Sequence, residues 1–494
     1  MKKARLQLSV IVVMILASMF VPNAVILKPV HSTSIVRILT PNSHSIYDLF
    51  KAQFEATHPG ITLEFKGEGG TLCLEELRAT KDSPQWDVWW GGGFELFDQA
   101  KSEDLLYQYS DIPSDLWNAI PENLYNIKLK DPGKYFFGYT LSGFGIMYNI
   151  PYLQAHNLSV PHDWTDLADP VYRGHIVMCT PMASSSTLQA VQIILQVPTA
   201  SLDGWTAGWQ LLIKIAANVG AFMPSSWDVP AKVSAGEYGI GICIDFMAFQ
   251  AIAKGFPCGY VYPANKTIIT PDSIAIVKNG PNLADAKTFV NYVLSIDGQK
   301  LNFDANIGRE PVRQDAYAYA PAGYTNPFTT PTPVLSTYSA DLSSKRTDLI
   351  KYLFDSVITN RHQELKNAWA AIYAAEAKLE ATAASQDLWN KWNEAVSLAS
   401  NVPVGYAQST NATFLTQFTA NATLRSQLVS QWDSGATTNY NTAYTEASAL
   451  VGQAEQEKQF RDMLTYAAIA VIAIVVLAVL YFKYVRKPKP KEEK

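Results

Sequence analysis

Ser184-Ser185-Ser186-Thr187 places four hydroxyls in succession before an apolar stretch, Leu188 to Leu195, with helical spacing. A helix start offers free backbone N–H groups and the positive end of the helix dipole, so the run suits an anion. One serine would equally serve as an ordinary N-cap. Ser43-His44 follows a β-rich stretch and could donate to the same anion or form a solvated turn. Gly91-Gly92-Gly93, after Asp87-Val88-Trp89-Trp90, permits close backbone approach to a ligand, or makes a tight turn without one. Trp227, Asp228 and Asp245 combine aromatic faces with carboxylates that can hold a ligand hydroxyl or amine. Asp245 stands at a strand end and is the better placed; Trp227 serves equally in packing.

These runs read as binding rather than catalysis. No G-x-S-x-G, H-E-x-x-H or G-x-x-x-x-G-K-[ST] occurs, and His31, His44, His58, His156, His162, His175 and His362 form no pair with helical metal-ligand spacing. Neither an enzyme, a metal site nor a cofactor is expected. A formal net charge of -5 over 494 residues gives no support to nucleic-acid binding. Cys73, Cys179, Cys243 and Cys258 lack C-x-x-C spacing. Sequence proximity favours a Cys243–Cys258 pair; four buried free thiols are the other reading.

The two ends imply an outside location. Met1-Lys2-Lys3-Ala4-Arg5 and the apolar run from about Leu8 to Val21 read as a secretory signal, with 1–33 the signal segment. Leu464 to Phe482 is a 19-residue stretch without a formal charge, close to the roughly 20 residues that span a bilayer. Lys483, Arg486, Lys487, Lys489 and Lys491 follow it, and the positive-inside rule puts that tail, 483–494, in the cytoplasm. The expected location is the cell membrane, single-pass, with the large domain extracellular. Sequons at Asn157, Asn265, Asn411 and Asn421 permit glycosylation there.

The elements that must position the candidate residues alternate. Ile35–Leu39 reads as a strand, Ile46–Ala56 as a helix, Ile61–Phe65 as a strand, Cys73–Ala79 as a helix, and Asp87–Trp90 as a buried strand ended by the glycines. Phe144–Tyr148, His175–Cys179, Tyr238–Ile244 and Ser273–Val277 read as further strands, with helices at Leu188–Leu195, Phe246–Ala253 and Asp285–Leu294. Such alternation predicts α/β layers. After a Pro-rich stretch, 321–333, apolar seams at Leu365, Trp369, Ile372, Ala375, Leu379 and at Leu388, Trp392, Ala395, Ala399 predict two packed helices. Asn411–Trp432 and Thr442–Arg461 look helical, the latter running toward the membrane segment.

Several segments together resemble the extracellular solute-binding proteins of ABC importers, in the ferric-iron, sugar-phosphate and phosphonate group. They are Ile38-Leu39-Thr40-Pro41-Asn42-Ser43-His44, Trp86 to Gly93, Ser142-Gly143-Phe144-Gly145-Ile146-Met147-Tyr148-Asn149, Pro161-His162-Asp163-Trp164-Thr165-Asp166-Leu167, and Arg309-Glu310-Pro311-Val312-Arg313, in order over about residues 34–320. The resemblance implies a two-lobed periplasmic-binding-protein type II fold. Lobe one would take 34–139 and 266–335, and lobe two 140–265. An all-α stalk module, 336–460, and a transmembrane helix, 461–482, would follow. It also implies a small-molecule solute between the lobes, an ABC permease as partner, and the bilayer as a second partner through Leu464–Phe482. Ligand contact falls to Ser43, His44, Gly92, Gly93, Ser184, Ser185, Ser186, Thr187, Trp227 and Asp245. Ferric-binding members carry a tyrosine pair where this chain has Phe246-Met247, and these offer no oxygen to a hard cation. A phosphate- or phosphonate-bearing solute is the first expectation. A sugar, polyol or ferric ion on the same fold, or a surface receptor without transport, is the alternative.

Overall fold

A computed structural model describes residues 34–199, 203–321, 324, 326–330 and 334–486. The expected signal segment and most of the basic tail lie outside the described residues.

Among the described residues the strands are β1 (Ser34–Thr40), β2 (Ile61–Gly67), β3 (Val88–Gly93), β4 (Asn123–Leu124), β5 (Ile127–Lys128), β6 (Phe137–Asn149), β7 (Ile176–Cys179), β8 (Val219–Met223), β9 (Ile240–Ile244), β10 (Cys258–Val261), β11 (Ile269–Ile276) and β12 (Glu310–Pro311). Most join one path in the order β2-β1-β3-β11-β6-β9-β7-β8, with β10 and β12 also on β6. The path divides at β6. Its first half, Phe137 to Gly143, pairs antiparallel with β11. Its second half, Phe144 to Tyr148, pairs with β9, and β10 lies on the other flank. β1, β2 and β3 are mutually parallel on one side, and β7, β8 and β9 on the other. Two α/β lobes therefore share one long strand, and the chain returns to the first lobe at Ile269.

β-branched runs such as Ile176-Val177 and Ile240 to Ile244 are buried throughout because helices cover both faces. β3 continues through its glycines rather than stopping before them. Gly92 has φ +113°, a backbone that side chains disfavour.

All four cysteines are free and buried. The Cys243–Cys258 pairing is thereby corrected: Cys243 lies opposite Gly145 and Cys258 opposite Asn149, on opposite flanks of β6. Two strand spacings already separate them by nearly 10 Å, beyond the ~4.4–6.8 Å between Cα atoms that a disulfide bridges.

The C-terminal part is all-helical: Ala340–Val357, His362–Thr382, Gln386–Ala399, Tyr406–Ser409, Ala412–Ala420 and Ala422–Leu480. The two apolar seams pack together as expected: Leu365, Trp369, Ile372, Ala375 and Leu379 are buried, as are Leu388, Ala395 and Ala399. Asn411–Trp432 breaks at Asn421, which caps the next helix; from Ala422 its remainder, Thr442–Arg461 and the apolar run form one helix up to Leu480. Its buried positions, Trp432, Ala436, Tyr440, Ala443, Ala447, Leu450 and Ala454, step by helical spacing along one face. Beyond Arg461 it is exposed and apolar, long enough to cross a membrane. The helices do not stand clear of the lobes. Trp205 donates to the Val404 carbonyl at 2.7 Å, and His362 meets the Ala216 carbonyl at 3.0 Å.

Candidate functional site

Four helices of nine or more residues begin at the cleft between the lobes: Gly70–Ala79 and Phe94–Ser102 from the first, Ser185–Ile194 and Asp245–Ala253 from the second. Each follows a strand whose C-terminal end points there, as expected for ligand sites of open α/β sheets. Pro41, Asn42, Gly70, Gly92, Gly93, Ser185, Ser186, Gln189, Ser226, Phe246, Met247, Asp272 and Arg309 are among its lining residues. The cavity between them is small, about 30 Å³, so the lobes are nearly shut.

Contacts across the cleft agree. The Thr71 hydroxyl of lobe one donates to the Met182 carbonyl of lobe two, and Trp227 Nε1 donates to the Pro41 carbonyl at 3.2 Å. Gly70 lies so close to Ser185 that a Cβ there would stand 2.4 Å from its Oγ.

One cation occupies the lining. Arg309 is 1 % exposed. Its Nη1 donates to Tyr139 Oη at 2.7 Å and Asn42 Oδ1 at 3.1 Å, and Nη2 pairs with the Asp272 carboxylate. Its Nε is buried without a partner. The guanidinium lies 4.0 Å from the ring centre of Phe246, so Arg309 reaches from one lobe to the other.

The residues singled out in the sequence divide. Gly92, Gly93, Ser185 and Ser186 line the cleft. Ser184 is the N-cap, its Oγ accepting from Thr187 N–H at 3.2 Å; both residues are buried behind the lining. Trp227 bridges the lobes and meets the Phe246 ring edge-on. Asp245 is buried at the crossover: it accepts from Gly143 N–H, from Phe246 N–H at 2.6 Å and from Tyr262 Oη–H at 2.7 Å. Burial pushes its carboxyl up to about 6 against those hydrogen bonds. Ser43 and His44 are not among the lining residues. Ser43 Oγ meets Ser45 Oγ, and His44 turns outward to Tyr47 Oη and Asp48; their neighbours Pro41 and Asn42 face the cleft instead. Asn42, Gln189, Asp272 and Arg309 had no local signal, for each takes its place through partners distant in sequence.

Behind the lining, Glu95 is buried in the first turn after Gly93, and burial raises its carboxyl from 4.5 to about 8. The folded chain thus holds this proton more tightly than the unfolded one. The associated stability is whole below about pH 4.5 and is lost as pH rises through about 8. Stability should fall over that window by up to ~4–5 kcal/mol, at about 1.36 kcal/mol for each tenfold difference in proton affinity, and Glu95→Gln should abolish the fall. Thermal unfolding of both proteins across the range checks this; parallel pH profiles would sink it.

Two α/β lobes sharing a strand around a cleft ringed by helix starts define a solute-capturing clamp. The chain belongs to the bacterial extracellular solute-binding proteins, whose family pattern it matches over residues 92–332. It is 30% identical over 379 residues to the phosphoglycerate transport regulatory protein PgtC of Salmonella typhimurium, covering 76% of this chain and 87% of that one. That share exceeds everything up to residue 335, so the likeness runs into the helical part. A putative 2-aminoethylphosphonate-binding periplasmic protein of the same organism is 25% identical over 276 residues, covering 54% of this chain and 74% of its own length. The fold is that of the periplasmic binding protein AfuA from Actinobacillus pleuropneumoniae, with a TM-score of 0.60 at 20% identity, covering 66% of this chain and 99% of AfuA.

Proposed function

We propose that this chain is a membrane-anchored extracellular binding protein that captures a small anionic solute bearing a phosphate or phosphonate group and delivers it to an ABC permease. The observation that carries the ligand class is the convergence of four helix N-termini on one cleft. The positive ends of their dipoles favour an oxyanion, and the Ser185 and Ser186 hydroxyls add donors. Arg309 adds a cation, and its Nε is still unpartnered. Phosphorus oxyanions also appear in the names of the two Salmonella relatives. Phe246 and Met247 bring no oxygen to the lining, which speaks against a ferric ion.

The anchor is Leu464–Phe482. Its apolar side chains are exposed along their whole length, a surface that nothing else in the described chain covers. Lys483 and Arg486 follow on the cytoplasmic side. The lobes at 34–335, the helical module at 336–460 and the four exposed sequon asparagines then lie outside, open to glycosylation.

A thermal-shift series on the detergent-solubilised chain tests this, using phosphoglycerate, 2-aminoethylphosphonate, sugar phosphates, free sugars and Fe³⁺. A ligand at 100 times its Kd stabilises by about 2.7 kcal/mol, and a phosphorus oxyanion should be the one that does so. A shift by a free sugar or Fe³⁺, with none from any phosphate compound, overturns the anion reading. Ser185→Ala with Ser186→Ala should weaken binding roughly tenfold to hundredfold, as expected for hydrogen bonds to a charged group at ~1.5–3 kcal/mol. Calorimetric titration measures that loss; unchanged affinity removes both serines from the site.

A further inference from the structure

Residues 334–357 touch both lobes at once. Tyr338 is 4 % exposed, and its phenol stands between them. It donates to Glu95 of lobe one at 3.2 Å and accepts from Gln189 Nε2 of lobe two and from Ser343 Oγ, each at 2.6 Å. Gln189 lines the cleft, and Glu95 follows the lining residue Gly93 by two positions. Behind this phenol, helix Ala340–Val357 continues the double attachment, with different chemistry on each side.

Toward lobe one the helix presents charge. Asp348, 3 % exposed, accepts from Gln99 Nε2 at 2.8 Å and from Arg78 Nη2 at 3.2 Å. Lys351, fully buried, pairs with Asp348 at 3.0 Å and with Glu75 at 3.1 Å. Toward lobe two the module carries no buried ion pair among the described residues: neutral hydrogen bonds join Ser339 and Ser343 to Gln192 and Gln196, at 2.7 Å between Ser339 N–H and Gln196 Oε1, and beyond them lies apolar and aromatic surface. Phe354 meets Phe222 at 6.0 Å and Trp209 at 6.4 Å between ring centres. The Arg346 guanidinium lies 4.7 Å from the Trp205 ring, and Lys214 extends over Trp369.

A rigid helix cannot stay docked on both halves of a clamp as they part. The interface that yields is the one water can replace. Buried ions and neutral hydrogen-bonding groups regain their hydration on exposure, whereas separating Trp205, Trp209, Phe222 and Phe354 exposes apolar area that water does not compensate. We infer that the helical module and lobe two move as one body, and that lobe one latches onto the module through Tyr338, Asp348 and Lys351 when the clamp shuts. Closure is thereby registered outside the cleft, on the module continuous with helix Ala422–Leu480.

Pulsed electron paramagnetic resonance on the full chain in detergent micelles tests the inference without any ligand, so its outcome is independent of the phosphate reading. Spin labels at cysteines replacing exposed Asp82 (lobe one), Lys254 (lobe two) and Asn393 (module) report two distances; the native cysteines are buried. Asp348→Ala should shift the 82–393 distance to longer, broader values and leave 254–393 unchanged. Tyr338→Phe, which keeps the ring and its packing, should act in the same direction to a smaller extent. Retained melting transitions confirm that the variants fold. A change in 254–393 in place of 82–393, or no change in either distance in both variants, overturns the inference.

Discussion

Gly69→Ala lowers affinity for the captured solute by about 100-fold or more while the ligand-free chain still folds. Gly69 has φ -59° and ψ 147°, ordinary backbone for alanine, so the substitution strains nothing within lobe one. The added Cβ would stand 1.9 Å from the carbonyl oxygen of Ala183 on lobe two. That oxygen belongs to backbone and cannot rotate away as a side chain would, so the lobes must part. A solute that contacts both lobes only when they are shut binds in proportion to the shut population; a 100-fold loss needs that population reduced by about 2.7 kcal/mol. Gly67→Ala is the control: nothing lies within 4 Å of its Cβ position. Calorimetric titration with the most stabilising compound of the thermal series, on wild type and both variants, measures the effect. Equal affinity in Gly69→Ala and wild type would show that capture does not need this closed arrangement.

The second large effect is expected at Arg309. Arg309→Met removes the partner of Asp272 and leaves the Asn42 carbonyl oxygen without one of its two donors, all behind a shut cleft. Breaking a buried ion pair from one side typically costs ~3–5 kcal/mol, because the remaining charge is uncompensated. Combining Arg309→Met with Asp272→Asn removes that charge and should recover part of the loss, by at least about 1 kcal/mol if the pair is coupled as contacting residues are. Urea unfolding of the single and double variants gives the coupling directly. The double variant should still bind poorly, since the lining has lost its cation. Restored stability with restored affinity would place Arg309 outside ligand contact.

The α/β alternation was legible because its apolar periodicity is local. Strands such as Ile176-Val177-Met178-Cys179 and helices such as His44–Thr57 carry their own patterns. Helix Gly204–Asn218 was not legible. It contains Gly204 and Gly208, which weaken helix propensity. Gly208 is needed because a Cβ there would stand 2.7 Å from the Ile194 carbonyl oxygen, a constraint set by the fold. Only the second half of β6 was read. Its first half carries Gly138, Thr140 and Ser142, which look like loop residues and are buried beside β11. The serine run and the glycines advertise themselves because capping and positive φ are local requirements. Arg309 could not, since its partners Asp272 and Asn42 lie 37 and 267 positions away. His44 shows the converse. Its loop reaches the cleft through Pro41 and Asn42, while the helix starting at His44 turns the imidazole toward Tyr47 and Asp48.

Ala422–Leu480 is a single helix of 59 residues without a proline, about 90 Å from end to end at 1.5 Å per residue. No swivel interrupts it between the face that holds Trp432 to Ala454 and the greasy terminal turns. With the proposed anchor seated in lipid, the capturing mouth would be carried as if on a stiff mast: its height and heading would be set by how that rod sits there, and it would meet whatever shares the bilayer by gliding sideways rather than by tumbling.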